Sequence, residues 1–218
     1  LIRVNSKYFI VEDPIMIDLK ERTITVDLKA KPFNLTDEAI KWVEDTIANM
    51  TIEEKIGQLF VNMGASRDEE YLKGVLNDYH IGAVRYNPAT AEQVYDQNKI
   101  LQENSKIPLL IAANTENGGN GACIDGTYVA NQVKIGATND PKYAYELGRV
   151  SGEEAAAIGC NWSFAPVVDI DMNWRNPVIS TRCYSNKAEQ VLEYSLEYMR
   201  GIMESGVAPA AKHFPGDG

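Results

Sequence analysis

Short apolar runs separated by longer amphipathic segments constrain the fold of this 218-residue chain more than any other feature. The runs have the length and composition of buried strands, and the segments between them have the apolar spacing of helices. The runs cover residues 58–61, 82–85, 109–113, 163–168 and 207–211, and the helix-like segments cover 68–79, 90–104, 141–158 and 187–205. Strands that alternate with helices predict an α/β fold with a parallel sheet covered by helices.

Two architectures fit this alternation, an open doubly wound sheet and a closed (β/α)₈ barrel. A dinucleotide-binding sheet needs Gly-x-Gly-x-x-Gly at the start of a helix that follows a strand. The segment from Gly119 to Ile124 has Ile at the third glycine position, and residues 127–138 lack helix caps and a helical period. The nucleotide-binding form of the open sheet is therefore disfavoured, and these patterns alone leave both architectures open. A complete barrel takes about 250 residues, so a barrel in this chain would be incomplete, with five strands.

The first part of the chain has a different pattern. Residues Tyr8–Val11 and Thr23–Asp27 have β-rich composition, which predicts an N-terminal β-hairpin. Thr36 then precedes a segment with helical spacing. We predict an N-terminal extension over residues 1–34 and a partial barrel over residues 35–218.

Composition excludes several classes of protein. The 21 Lys and Arg residues against 31 Asp and Glu give a net charge of −10, and a general nucleic-acid binder needs clustered cations. The apolar runs are far shorter than the roughly 20 residues that span a bilayer. The three cysteines form no Cys-x-x-Cys pair, so we expect reduced thiols, a cytoplasmic location, and neither metal nor cofactor. We expect no nucleic-acid or membrane partner.

Polar residues gather where the last three predicted strands end. Asn114 and Glu116 follow the third strand, Asp169 follows the fourth, and Lys212 and His213 follow the fifth. The carboxyl ends of parallel strands lie at one edge of the sheet, where α/β enzymes place their active sites. These residues are therefore candidates for a functional site.

Lys212 and His213 have several interpretations. At a barrel mouth they could bind sugar hydroxyls, act as an acid/base pair, or supply a lysine for a Schiff base. The structural alternative is a histidine packed under the turn at Pro215 and Gly216. We favour a functional role because an apolar run leads directly into the pair. His80 ends a predicted helix, and we expect it to be structural or exposed.

For the remaining charged residues, the sequence does not decide between a binding role and a structural role. Asp169 and Asp171 have the spacing of a metal site, but hydrogen bonding to the following loop explains them equally well. Arg175 and Arg182 could clamp a ligand, or could pair with Asp169, Asp171 or Glu116.

The segment Lys212-His-Phe-Pro-Gly-Asp-Gly218 resembles the Lys-His-Phe-(Pro)-Gly segment of glycoside hydrolase family 3. Further segments resemble the family in the same order along the chain. They cover residues 50–60, 107–119, 159–170 and 175–179. Several collinear motifs are far more specific than one, and the resemblance spans roughly residues 35–218.

The resemblance implies an α/β fold of the TIM-type (β/α)₈ barrel, here incomplete with about five parallel strands. It implies an exo-acting enzyme that cleaves β-linked glycosides or oligosaccharides with retention. It also implies that Lys212, His213 and Arg182 contact the sugar. Asn114 stands at a sugar-binding position where many members have Asp, so it keeps hydrogen-bonding capacity without the charge. The Lys-His-Phe-Pro-Gly segment favours a β-N-acetylhexosaminidase-like enzyme. A β-glucosidase-like enzyme is the alternative, because Gly216-Asp-Gly218 is common in that group. The arginines that usually follow Gly119 in the first group are also missing.

The resemblance places the nucleophile and the acid/base downstream of residue 218, so we assign no catalytic residue among Asp169, Asp171 and Asp217. We expect the chain to be the N-terminal part of the enzyme and inactive alone. Two alternatives from other classes remain, a Schiff-base aldolase that uses Lys212 and a non-catalytic carbohydrate-binding protein. An unfinished barrel exposes strand edges, which predicts self-association.

Overall fold

The computed structural model describes residues 2–4, 7–9, 15–18 and 23–218, and the chain divides into two compact units after Ile52. The first unit contains two antiparallel pairs of strands and a helix. Strand β1 (Ile2–Val4) pairs with β2 (Lys7–Phe9), and β3 (Ile15–Asp18) pairs with β4 (Thr23–Val26). Helix α1 (Asp37–Asn49) begins after Thr36, whose hydroxyl accepts a hydrogen bond from the Ala39 amide at 3.2 Å.

The predicted pairing of Tyr8–Val11 with Thr23–Asp27 in a single hairpin is wrong. Strands β2 and β4 lie on those segments, but each pairs with the strand just before it in the chain. A short connection loses less entropy on closure than a long one, which favours two local hairpins. Residues 10 and 11 of the predicted first strand lie outside the described residues. The domain boundary after residue 34 stays a prediction.

The second unit is built on a parallel sheet whose strand order follows the chain. A doubly wound sheet reverses its order at a switch point, whereas a barrel adds each new strand beside the previous one. The sequential order therefore confirms the incomplete barrel. In the described part of the chain the sheet has five strands. They are β5 (Val61–Gly64), β6 (Ala83–Tyr86), β7 (Leu110–Ala113), β8 (Trp162–Ser163) and β9 (Ala208–Pro209).

Helices occupy the connections between these strands, as predicted. The Thr90 hydroxyl and the Gln93 side chain form a reciprocal capping box at the start of the second long helix of this unit. The helices are α2 (Ile52–Gly57), α3 (Glu69–Tyr79), α4 (Ala91–Asn104), α5 (Gln132–Gly136), α6 (Lys142–Ala157) and α7 (Ala188–Met203). Short 3₁₀ turns cover Gly119–Gly121 and Ser180–Arg182. None of the helices in the described residues is long and apolar enough to cross a bilayer.

Two local predictions need correction. The first predicted strand, residues 58–61, begins too early, because the Gln58 amide still bonds the Glu54 carbonyl at 3.2 Å and extends the turn of α2. Residues 127–138 were expected to lack a helix, yet α5 lies there. The fully buried Gln132 exchanges two 2.9 Å hydrogen bonds with the backbone of Val167. These tertiary bonds hold the short helix where local caps are missing.

His80 has the structural role expected of it. It ends α3 in the left-handed conformation with φ 51°, and its amide bonds the Leu76 carbonyl at 3.2 Å. Its carbonyl accepts a 2.8 Å bond from the Gln58 side chain. His80 therefore caps a helix, away from the carboxyl ends of the strands.

Candidate functional site

The carboxyl ends of β7, β8 and β9 bring the predicted polar residues together. The backbone of Val167, beyond β8, forms a parallel bridge with Lys212, beyond β9. This bridge places Asp169 beside Lys212 and His213. Asn114 and Glu116 follow β7, the neighbouring strand on the other side of β8.

Glu116 is the centre of the first cluster, which we call the Glu116 cluster and which consists of Glu116, Arg182 and Lys212. The Arg182 guanidinium donates two hydrogen bonds to the two carboxylate oxygens, both at 2.9 Å. The Lys212 ammonium lies 2.5 Å from Oε1 of the same carboxylate. The Glu116 side chain is 14% exposed, against 19% for Lys212 and 30% for Arg182. The carboxylate is thus covered while both cations reach the surface.

The electrostatics of this cluster favour the ionised form of Glu116. Burial alone would raise the pKa of the carboxyl group, but hydrogen bonds and charges from Arg182 and Lys212 outweigh it and hold the pKa below its ordinary value. The same hydrogen bonds to Glu116 raise the pKa of Arg182. The site therefore carries a fixed arrangement of one anion and two cations.

Asp169 organises His213. Its Oδ2 atom lies 2.6 Å from Nδ1 of the imidazole and accepts the His213 amide at 3.3 Å, while Oδ1 accepts the Asp217 amide at 2.7 Å. The Asp169 side chain is fully buried, and His213 is 38% exposed. Nδ1 of the imidazole therefore faces the carboxylate, and Nε2 lies on the opposite side of the ring.

Asn114 is partly exposed at the end of β7, two residues before Glu116. The following loop returns close to it, because Gly121 has no side chain where the Asn114 carbonyl approaches. A Cβ atom at Gly121 would overlap that carbonyl. The glycine-rich loop therefore supports the strand end that carries Asn114.

The remaining candidates lie outside these contacts. The Arg175 guanidinium stacks over the exposed Trp174 ring at 4.7 Å, so its charge is not paired with Glu116 or Asp169. The Asp171 amide bonds the Ser185 carbonyl at 3.1 Å, in the loop beyond β8. Within the described residues, no group of three or more His, Cys, Asp and Glu side chains could hold a metal ion.

The sequence did not determine the side-chain partners of Arg182 and His213. The pairing of Arg182 was open between three carboxylates, and the structure selects Glu116. The pairing of Asp169 with His213 was not predicted. The signal was the position of both residues just beyond neighbouring strands of a parallel sheet.

Comparison with known proteins agrees with this arrangement. Residues 51–218 match the model of the glycosyl hydrolase family 3 N terminal domain. A beta-N-acetylglucosaminidase/beta-glucosidase from Cellulomonas fimi is 40% identical over 193 residues, which cover 88% of this chain and 34% of that protein. The solved structure of a beta-glucoside phosphorylase, BglX, is similar with a TM-score of 0.82 at 40% identity, over 87% of this chain and 34% of the other.

A third relative is a family 3 beta-N-acetylglucosaminidase from Paenibacillus sp. str. FPU-7, with a TM-score of 0.69, 33% identity, and coverage of 77% of this chain and 34% of that one. The chain thus spans about a third of the length of these relatives. The matched residues 51–218 include the Glu116 cluster and the Asp169–His213 pair. The chain belongs to glycosyl hydrolase family 3.

Proposed function

We propose that this chain supplies the sugar-binding part of a retaining, exo-acting β-glycosidase, with Lys212, His213, Arg182 and Asn114 as the groups that contact the sugar. The observation that carries the proposal is the Glu116 cluster beside the Asp169–His213 pair. Carboxylates hold three of these groups from behind, Glu116 for Lys212 and Arg182 and Asp169 for His213, which leaves hydrogen-bonding atoms directed elsewhere. Polar groups held in advance in this way suit a ligand with several hydroxyls, because little ordering remains to be done on binding.

The two central carboxylates have no catalytic role in this proposal. Retaining hydrolysis needs a nucleophilic carboxylate and a proton donor about 5–5.5 Å apart, both facing the substrate. Glu116 is instead occupied by two cations, and Asp169 is buried against His213 and two backbone amides. We expect the purified 218-residue chain to leave a chromogenic β-glycoside intact. Robust turnover by material of confirmed mass would contradict this.

A Schiff-base role for Lys212 is disfavoured by the same geometry. Such a lysine reacts as a neutral amine, whereas this ammonium lies 2.5 Å from a carboxylate. Borohydride trapping of a carbonyl substrate on Lys212 is the test, and we expect no adduct.

The sugar is proposed to be an N-acetylhexosamine. The names of the Cellulomonas fimi and Paenibacillus relatives include beta-N-acetylglucosaminidase. The first of these names also includes beta-glucosidase, and the BglX structure is named a beta-glucoside phosphorylase, so the alternatives are a β-glucoside substrate and phosphate in place of water. Assays of the full-length gene product with p-nitrophenyl β-N-acetylglucosaminide and β-glucoside, each with and without inorganic phosphate, separate these possibilities. We expect faster turnover of the first substrate. A rate that depends on phosphate would establish the phosphorylase alternative.

We also propose that the isolated chain self-associates through β5. This strand lies at one edge of the sheet, and Val61 and Met63 on it are 43% and 55% exposed. Unpaired strand edges with apolar side chains are templates for pairing with another chain. Sedimentation should show a species larger than a monomer that Met63→Lys converts to monomer. A clean monomer of the unaltered chain would contradict the proposal.

The cytoplasmic location also stays a prediction.

A further inference from the structure

Four hydroxyl side chains that the proposed function does not use lie behind the Glu116 cluster. They are Thr115, Ser151, Ser163 and Tyr198, and each residue is 0% exposed. Thr115 stands between Asn114 and Glu116 at the end of β7, and the other three come from α6, β8 and α7. Buried hydroxyls cost free energy unless they are hydrogen-bonded, so their presence in an apolar core needs a reason.

The hydrogen bonds of these four side chains converge on Thr115. Its carbonyl accepts the Tyr198 hydroxyl at 2.8 Å and the Ser151 hydroxyl at 3.2 Å. Its own hydroxyl lies 3.0 Å from the Tyr198 oxygen and 2.7 Å from the Ser163 oxygen. Three separate elements therefore hold this one residue.

The proton positions in this network follow from its geometry. A carbonyl oxygen only accepts hydrogen bonds, so the Tyr198 hydroxyl donates its single proton to the Thr115 carbonyl. Thr115 must then donate to the Tyr198 oxygen, and Ser163 must donate to Thr115. Every hydroxyl proton finds an acceptor in this assignment. A complete buried network favours one arrangement of the chain, whereas apolar contacts tolerate several.

Helix packing fixes the depth of Tyr198. Gly148 of α6 has no side chain where the Tyr198 carbonyl approaches, so α7 lies close against α6 at this point. The Tyr198 hydroxyl thereby reaches the backbone at the end of β7 from behind. A shift of this hydroxyl would move Thr115 and, with it, the two residues that flank it.

We infer that Tyr198 is a positioning residue for the sugar site: its hydroxyl fixes the backbone at Thr115 and thereby the directions of Asn114 and Glu116. Glu116 in turn sets the positions of Lys212 and Arg182. The inference deepens the proposed function and rests on it for the binding readout. A second readout, the Glu116–Arg182 contact itself, does not depend on sugar binding.

The test compares Tyr198→Phe with Tyr194→Phe. Tyr194 lies one helical turn earlier on α7 and is also buried, but its hydroxyl finds no hydrogen-bond partner among the described residues. The first readout is the NMR signal of the Arg182 Nε–H group, which donates to Glu116. The second is the dissociation constant for N-acetylglucosamine. We expect Tyr198→Phe to shift the Arg182 signal, speed its hydrogen exchange, and weaken sugar binding about 3- to 30-fold. Tyr194→Phe should change neither.

A pair of substitutions at Thr115 provides a second, independent test. Thr115→Ser keeps the hydroxyl and should leave both readouts close to the unaltered chain. Thr115→Val keeps the carbonyl that accepts the Tyr198 hydroxyl but loses the side-chain bonds to Ser163 and Tyr198, so it should change both readouts in the same direction as Tyr198→Phe but less. If Tyr198→Phe and Thr115→Val lower stability but leave the Arg182 signal and the affinity unchanged, the network is merely structural and the inference falls. If the unaltered chain binds no sugar, the proposed function fails, and the Arg182 signal alone decides whether Tyr198 positions Glu116.

Discussion

Replacing Glu116 by Gln removes the negative charge that both cations of the Glu116 cluster share. The carboxylate accepts three hydrogen bonds from charged donors, and an amide can replace only part of them because its NH₂ group faces donors. Hydrogen bonds to charged groups contribute about 1.5–3 kcal/mol each, and breaking a fully buried ion pair costs about 3–5 kcal/mol. Water reaches Lys212 and Arg182 at 19% and 30% exposure, so we expect a smaller loss, about 2–3 kcal/mol.

Differential scanning calorimetry of the 218-residue chain checks this value. For a unit of this size the loss corresponds to a fall of about 5–10 °C in the unfolding midpoint. The matched control is Glu197→Gln on α7, which removes a carboxylate that also accepts two hydrogen bonds from an arginine, but there the carboxylate is 30% and the arginine 57% exposed. We expect little change in the control. Equal midpoints for the two variants would refute the view that Glu116 organises the site.

The pH dependence of the same difference provides a further check. Folding lowers the pKa of Glu116 below its ordinary value of 4.5, so its contribution to stability is complete above pH 4.5 and is lost as the pH falls through the lowered value. The difference in midpoint between the unaltered chain and Glu116→Gln should be constant near neutral pH and should shrink below pH 4.5. A difference that grows on acidification would contradict the assignment.

Two further predictions concern glycine and cysteine. Gly121→Ala should destabilise the chain by about 2 kcal/mol or more, because its Cβ would overlap the Asn114 backbone. Gly74 lies in open space within α3, so Gly74→Ala should stabilise the chain by about 0.5–1 kcal/mol. Thermal unfolding of both variants checks the contrast, and similar shifts in the unfolding midpoint would contradict it. Cys123, Cys160 and Cys183 are all buried, and burial raises the pKa of each thiol, to about 11 for Cys123 and Cys160. The three thiols should therefore resist Ellman's reagent in the native chain and react fully in denaturant. Rapid labelling of the native chain would contradict the packing described.

Periodicity was sufficient to predict the second unit of the fold. Every long helix of this unit and every parallel strand overlaps a segment recognised from its apolar pattern, although the first strand begins three residues later than predicted. The failures have local causes. Pairing in the N-terminal part depends on which strands are neighbours, which composition does not encode, and α5 is held by the tertiary bonds of Gln132 rather than by its own sequence.

The sequence predicted where the candidate residues lie in the fold, but not which side chains pair with each other. The strand ends predicted that Glu116, Asp169, Lys212 and His213 lie at one edge of the sheet. The choice between Glu116 and Asp169 as partners depends on side-chain direction in a twisted sheet. The network at Tyr198 gave no signal in the sequence, because a tyrosine at a core position of an amphipathic helix has the same pattern whether or not its hydroxyl is bonded.

The most direct test of this account is a titration of the ¹⁵N-labelled chain with N-acetylglucosamine, with glucose as a comparison, followed by NMR. The account predicts saturable shifts at Asn114, Arg182, Lys212 and His213, and their loss in Lys212→Met but not in Lys99→Met, an exposed lysine of α4 that pairs with Glu103. The absence of saturable binding, or shifts centred away from the carboxyl ends of β7, β8 and β9, would contradict it.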